Sequence, residues 1–424
     1  MLNFEASLAY AQKMDAQDPL AAFRTKFHLP IQENGAPYLY FTGNSLGLQP
    51  KKTAAALGQE LQDWQNLGVE GHFHAKNPWM PYHEFLTESM AKVVGAKPLE
   101  VVVMNTLSVN LHLMMVSFYR PTQDRFKIII ESDAFPSDRY AVASQIRFHG
   151  FDPTEALVEL RPREGEVLIR EADIQALIEQ HQESLALVML GNPNYYTGQF
   201  FDMKKISAWA HDAGALVGFD CAHGAGNRPL NLHDSGADFA VWCTYKYLNA
   251  GPGSLGGCFV HERHAHDASL PRFEGWWGHN KSTRFGMRDD FEPIPGVEAW
   301  QLSNPPILSM AAIKASLEVF EEAGMDRLRA KSLQLTGFME YLLAEMKLDA
   351  VQVITPTKPA ERGCQLSIQV KNADKSLFEA ISRAGVIADW REPDVIRVAP
   401  VPLYNSFEDV YRFVEVLERC IKNL

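Results

Sequence analysis

Lys246 closes an apolar run, DFAVWCTYK, between Tyr245 and Tyr247 and just ahead of a Gly/Pro-rich turn. A buried ammonium is costly unless it is paired or neutralised. The ordinary reading is a lysine that snorkels to the surface where a strand ends. Other reactive side chains close similar runs. ALVGFD ends in Asp220, with His223 three residues on in DCAHGAG. VVVM (101–104) is followed by NTLSVN, a turn carrying Thr106 and Ser108 that leads into a helical pattern. KIIIES is followed by DAFPSD, with Phe135, Ser137 and Asp138. Singly, each has a plain explanation: Asp220 as a helix cap, Ser108 as an N-cap. Together they match the needs of pyridoxal 5'-phosphate, which takes a lysine for its Schiff base and a carboxylate beside its ring nitrogen. A flat side chain such as Phe135 would stack on the ring. Thr106, Ser108 and the free N–H groups of a helix start would hold the phosphate. Desolvation would keep the lysine neutral enough to attack.

These groups meet only if the runs are strands of one open α/β sheet, where ligands sit beyond the carboxyl ends. The runs are VVVM (101–104), KIIIE (127–131), LALVML (185–190), ALVGFD (215–220), DFAVWC (238–243) and GGCFVH (256–261). Most lack alternation, as expected of strands covered on both faces. Helical patterns separate them at 108–118, 172–181 and 202–214, the last with Asp202 as cap, Met203, Ile206 and Ala210 on one face, and a terminal Gly214. The expectation is a large cofactor-binding domain with a mostly parallel, doubly wound sheet flanked by helices. After Asn304-Pro305-Pro306 the pattern changes. One helix carries Ile313, Leu317 and Phe320 and stops near Gly324; the next carries Leu328, Leu335, Phe338 and Leu342. CQLSIQV (364–370), a helix near 375–384, VIRVAP (395–400) and a helix over 407–421 then read as a smaller C-terminal α/β domain. The expected division is an N-terminal segment over 1–50, the large domain over 51–305 and the small domain over 306–424.

The 424 residues carry a net charge of −12, and no local basic patch argues for nucleic acid. No apolar run approaches a membrane span. The N-terminus has early acids and no uninterrupted apolar core, so no signal peptide is expected. Five cysteines without CxxC spacing suit a reduced, cytoplasmic protein. Cys221 and Cys243 adjoin apolar runs and read as core. The histidines of HERHAH (261–266) lack convergent carboxylate or Cys partners, so no metal site is expected.

Long stretches of the chain resemble the kynureninase family, pyridoxal phosphate hydrolases of the aspartate-aminotransferase fold type I, class V-like. They include FTGNSLGLQP, MNTLSVNLHLM, AFPSDRYA, YYTGQ, GFDCAHGAGN, TYKYLNAGPG, GWWGH, STRF, SNPPIL, ERGCQL and IRVAPVPLYNS, between about 38 and 420. The resemblance implies hydrolysis of L-kynurenine or 3-hydroxy-L-kynurenine to L-alanine and an anthranilate, within tryptophan catabolism, the kynurenine pathway and NAD biosynthesis. It implies Lys246 as the Schiff-base lysine, Asp220 at the ring nitrogen with His223 nearby, and Phe135 and Asp138 in the cofactor loop. Leu107, Ser108 and Tyr245 would reach the phosphate, and Tyr245 would help move protons. Trp276 and Asn304 would approach cofactor or substrate partly from the other subunit of a homodimer. Arg397 would grip the substrate α-carboxylate as a bidentate fork. Ser45 and His72 would line the substrate pocket, although a structural hydrogen bond explains His72 nearly as well. At 191, where the family can offer a hydroxyl, this chain has Gly191, so the GNPN backbone would have to serve. The alternatives are another class V enzyme, such as a cysteine desulfurase or aminotransferase, and a catalytically silent binding protein. Cys364, in an expected strand, makes a poor desulfurase nucleophile.

Overall fold

The computed structural model describes residues 4–423; residues 1–3 of the N-terminal segment and residue 424 of the C-terminal domain lie outside the described residues. The large sheet has seven strands: β1 (Val101–Met104), β2 (Lys127–Glu131), β3 (Leu157–Leu160), β4 (Leu185–Gly191), β5 (Leu216–Asp220), β6 (Phe239–Cys243) and β7 (Gly256–Val260). Their order is β1-β7-β6-β5-β4-β2-β3. The β6-β5-β4-β2-β3 block is parallel, and β7 runs antiparallel between β6 and β1.

The continuous apolar runs are explained by two cores. Along each strand successive side chains alternate between faces. Val101, Val103, Ile129, Val188, Val217, Phe219 and Trp242 join one core, backed by helices Glu84–Val94, Glu171–His181 and Met203–Asp212. Val102, Met104, Ile128, Ile130, Leu187, Met189 and Val241 join the other, under helices Leu107–Phe118 and Pro136–Phe148. With both faces covered, polar alternation has no place in these strands. The strand β3 and the helix Pro136–Phe148 are absent from the sequence-based expectation. β3, LVEL, is an edge strand only partly buried over most of its length, so it lacks the unbroken apolar run of its neighbours.

A second sheet is antiparallel, with β8 (Val351–Val353), β9 (Leu366–Val370), β10 (Asp389–Arg391) and β11 (Val395–Val398) in the order β10-β11-β9-β8. Cys364 lies two residues ahead of β9 rather than within it, and it is buried. Helices Met325–Glu345, Lys375–Arg383 and Phe407–Lys422 pack on this sheet through Leu335, Phe338, Leu377, Ile381, Phe413 and Leu417. Ser406 caps the last helix, accepting the Asp409 N–H at 3.0 Å.

Helix Ile307–Ala323 turns Met310, Ile313, Leu317 and Phe320 into the first core of the large sheet. The N-terminal segment serves both units. Leu20, Phe23, Tyr40 and Leu48 enter the first large-sheet core, whereas Ala11 and Phe41 enter the core of the small sheet.

Candidate active site

The carboxyl ends of the parallel strands converge. Glu131 closes β2, Gly191 closes β4, Asp220 closes β5, and Lys246 follows β6 by three residues. Between them lies a cleft of about 160 Å³ whose walls include Leu107, Ser108, Phe135, Asp138, Asp220, His223, Tyr245 and Lys246. These eight are the sequence-based cofactor set without Trp276 and Asn304. Glu131, Ser137, Gly191, Asn194 and Tyr195 line it too.

The lysine loop is held from the N-terminal segment. The Gly47 N–H donates to the Tyr245 carbonyl at 2.8 Å. A Cβ at Gly47 would stand 2.3 Å from the Lys246 carbonyl oxygen, so only glycine permits this approach. Lys246 Nζ lies 3.2 Å from His223 Nε2 and 5.8 Å from the centre of the Phe135 ring. Phe135 itself meets Tyr195 edge to face at 5.4 Å. Asp220 accepts the Ala222 N–H at 2.7 Å, which fixes its carboxylate toward the cleft.

At the other end of the cleft, helix Leu107–Phe118 begins with Thr106 as its N-cap, whose side chain makes no capping bond. Ser108 is the second helical residue rather than the cap, and its Oγ lies 2.8 Å from Ser137 Oγ. Two hydroxyls thus stand beside the unpaired N–H groups of a helix start, a ready anion site.

Three buried carboxyls and one lysine make the electrostatics unusual. Burial raises Asp220, and the Lys246 charge opposes that rise. Burial, followed by the charge of Asp220, pushes Asp138 well above the ordinary range. Burial pushes His223 well down, reinforced by Lys246 and then Arg397. Burial thus favours the neutral imidazole of His223, whose Nε2 faces Lys246 Nζ at hydrogen-bond distance. His223 Nδ1 and Asp138 Oδ1 are buried without partners. Buried polar atoms normally find partners, so these two are what a polar ligand would satisfy. A lysine, a carboxylate, an aromatic face and an anion site, with two orphaned polar atoms, fit pyridoxal phosphate.

Arg397 sits on β11 and reaches toward the cleft wall. Its Nη1 donates to the Tyr195 carbonyl at 2.6 Å and its Nη2 to Asp389 at 2.5 Å, while Nε is buried without a partner. Five residues of the sequence-based set do not line this cleft: Arg397, buried and bonded to the Tyr195 carbonyl of its wall, and four that lie elsewhere. Ser45, Trp276 and Asn304 are exposed and His72 is half-buried. His72 Nδ1 lies 2.9 Å from the Val69 carbonyl, and Trp276 Nε1 donates to the Arg284 carbonyl at 3.1 Å.

Among the described residues two further titratable clusters lie outside the cleft; in one, formed by His83, Glu84 and Glu298, Lys281 bonds both carboxylates while His83 Nδ1 is buried without a partner. Glu100, His233 and His261 converge with ligand-like spacing. Yet Glu100 Oε1 already takes the Glu262 N–H at 2.8 Å and lies 2.9 Å from His233 Nδ1, while His261 Nδ1 accepts from Arg263. His264 of HERHAH contacts Asp238 at 2.9 Å.

Residues 328–417 match the family model described as Kynureninase C-terminal domain. The chain is 60% identical over 415 residues to the kynureninase of Myxococcus xanthus (strain DK1622), covering 98% of this chain and 97% of that one. It is 56% identical over 421 residues to the kynureninase of Koribacter versatilis (strain Ellin345), covering 99% of each. Among solved structures, the apo cysteine desulfurase of Thermococcus onnurineus NA1 superimposes with a TM-score of 0.74 at 19% identity, covering 91% of this chain and 95% of that one. A C-DES variant with glycine covalently linked to its PLP cofactor gives a TM-score of 0.77 at 16% identity, covering 93% and 98%. At such identity these two speak for the fold alone.

Proposed function

The chain belongs to the kynureninase family, and from that premise we infer how its own residues carry out the reaction. It is a hydrolase that cleaves a carbon–carbon bond of kynurenine, and its cofactor is pyridoxal 5'-phosphate. Bound, the cofactor supplies an aldehyde that an amine can hold and a ring that takes up an electron pair.

Lys246 Nζ would hold the cofactor aldehyde, and its amine would move the proton at the substrate Cα. Asp220 would hold a proton at the ring nitrogen, with His223 beside it in the cleft wall. Phe135 would stack on the ring, and Asp138 stands beside the cleft in the first turn of helix Pro136–Phe148 rather than in the loop that the sequence suggested. The Leu107 N–H and the Ser108 hydroxyl would bind the phosphate, and the Tyr245 hydroxyl would reach it and help move protons. Arg397, with its free Nε, binds the α-carboxylate. The observation that carries this reading is the meeting of Lys246, Asp220 and the Ser108–Ser137 hydroxyl pair in one cleft at the strand ends. Borohydride reduction should fix the cofactor on Lys246. A peptide map with the adduct elsewhere, or none, would remove the assignment.

Ser45, His72, Trp276 and Asn304 lie outside the cleft of a single chain, and they would enter it from the second subunit of a homodimer. Mixing inactive Lys246→Ala and Asn304→Ala chains should restore activity after subunit exchange. A fully active monomer on sedimentation would overturn the shared site. The partner's copies of His72 and Asn304 can hydrogen-bond a phenol, and a site built to bond a hydroxyl prefers the substrate that has it. The better substrate is accordingly 3-hydroxykynurenine, giving 3-hydroxyanthranilate and L-alanine. Product fluorescence with each substrate tests this, and replacing His72 and Asn304 by apolar residues should slow the hydroxylated substrate more.

The same reading places the enzyme in the cytoplasm, in the kynurenine pathway of tryptophan catabolism toward NAD biosynthesis. Among the described residues no helix is long and apolar enough to cross a membrane, and the charge of −12 disfavours nucleic acid as a partner. The division into an N-terminal segment, a cofactor domain and a small C-terminal domain is likewise our proposal, with helix Ile307–Ala323 as the bridge.

A further inference from the structure

Glu131 is a third buried carboxyl in the cleft, and the reaction described above leaves it without a task. It closes β2, separated from Asp220 on β5 only by β4. Both of its carboxyl oxygens accept the Gly191 N–H, at 3.0 and 3.2 Å. Gly191 pairs in register with Asp220. A Cβ at 191 would stand 3.3 Å from Glu131 Oε1, closer than ordinary contact, so the missing side chain leaves room for the carboxyl. Glu131 and Asn194 also line a second cavity of about 160 Å³, so they form the wall between it and the cofactor cleft.

We propose that Glu131 is a positioning residue for the cofactor: its carboxyl clamps the Gly191 end of β4 and tunes the negative charge that Asp220 presents to the ring. The inference rests on the pyridoxal phosphate reading of the cleft. Around the clamp stand Asp220 from β5, Asp138 from helix Pro136–Phe148 and Lys246 from the loop after β6, with Asp133 and Glu166 across the second cavity. Among the described residues no cation is bonded to the Glu131 carboxyl. Burial, opposed by the N–H groups of Glu131 itself and of Gly191, reinforced by Asp220 and opposed last by the Asn194 side chain, pushes it up to about 7. Its charge therefore changes near neutral pH, and each change alters the field at Asp220 and Lys246. The Gly191 backbone is held by this side chain, which gives a polar function to a position that has no side chain of its own.

The test uses the holoenzyme and reads the absorbance of bound pyridoxal phosphate against pH. Glu131→Gln keeps an acceptor oxygen for Gly191 and removes the ionisation. An ionised Glu131 favours positive charge nearby, so its loss should lower the midpoint of the absorbance change by about one pH unit while cofactor retention stays close to the parent's. Gly191→Ala should displace the carboxyl and move the midpoint in the parent background, but not in Glu131→Gln. A midpoint unmoved by Glu131→Gln overturns the proposal. If that variant does not fold, a midpoint unmoved by Gly191→Ala overturns it equally. A parent enzyme that binds no pyridoxal phosphate overturns the cofactor reading itself, and this inference with it.

Discussion

Two buried aspartates occupy opposite ends of one strand pair, and they are treated in opposite ways. Asp238 stands at the entrance to β6, beside the start of β5. Its carboxylate accepts the Val217 N–H at 2.8 Å and the Arg263 Nε–H at 3.2 Å, and lies 3.0 Å from His211 Nε2 and 2.9 Å from His264 Nε2. Burial would raise it, but bonds from His211 and His264, then Val217 and Arg263, outweigh burial and hold it below the ordinary range. Asp220, at the far end of β5, has one backbone donor, a lysine, and two more carboxyls for company. The first arrangement uses both carboxylate oxygens and ties helix Met203–Asp212 and the HERHAH turn to the amino ends of two central strands. The second leaves atoms unsatisfied and charges crowded. Perturbed, under-satisfied groups gather where a ligand will complete them. Structural order sits at one end of the sheet and chemistry at the other.

The sharpest way to break this contrast is Lys246→Ala. It removes the group that moves the Cα proton, so turnover should fall by at least ~10³-fold, in line with the ~10²–10⁴ ascribed to one acid–base group plus the lost attachment point. The melting temperature should stay near the parent's, because the lysine is a crowded charge rather than a core support. Substantial turnover in the absence of added amines would show that the cleft is not the reaction centre. Asp220→Ala should follow, losing cofactor and rate together, with Asp220→Glu less damaged because charge is kept while geometry shifts. Equilibrium dialysis of pyridoxal phosphate checks it; parent-like retention in Asp220→Ala would give the ring nitrogen to another group.

The mirror experiment is Asp238→Asn. It removes the negative charge and one of the two acceptor oxygens that His211, His264, Arg263 and the Val217 N–H share, so folding stability should drop by about 1–3 kcal/mol while kcat per folded molecule is preserved. Denaturant titration and active-site counting separate the two effects. A rate loss without a stability loss would erase the distinction between the two ends.

The sequence carried this contrast unevenly. β1, β2 and β4 to β7 are legible because both faces are buried and the runs are unbroken. Lys246 and Asp220 are legible because a charge closing such a run is conspicuous. Glu131 closes KIIIE just as conspicuously, yet nothing along the chain says that β2 lies next to β4, which lies next to β5. That adjacency is set by the winding of the sheet, not by sequence order. Ser108 was readable as a helix start, but its partner Ser137 arrives on a helix whose pattern does not stand out. Ser45, His72, Trp276 and Asn304 carry the family's motifs without lining the cleft of their own chain, because a motif match along the sequence does not state where a side chain lies in space.

The smallest expected effect is a difference in pH slope. Asp238 is held below its unfolded value, so it stabilises the fold above about pH 4 and that contribution is lost as pH falls toward its folded value. Glu131 has the opposite sign. Its folded value lies at about 7, above the unfolded value near 4.3, so the folded state binds the extra proton in between. Stability therefore falls as pH rises through that window, with a slope of at most ~1.4 kcal/mol per pH unit for one group. In cofactor-stripped protein, Glu131→Gln should flatten the slope between about pH 4.5 and 7, whereas Asp238→Asn should leave that window alone and flatten the acid limb below about pH 4. Urea titrations of parent and variants across pH measure both limbs. If both variants bent the same limb, the two carboxyls would share one electrostatic environment, and the division between a satisfied end and a crowded end of the sheet would fail.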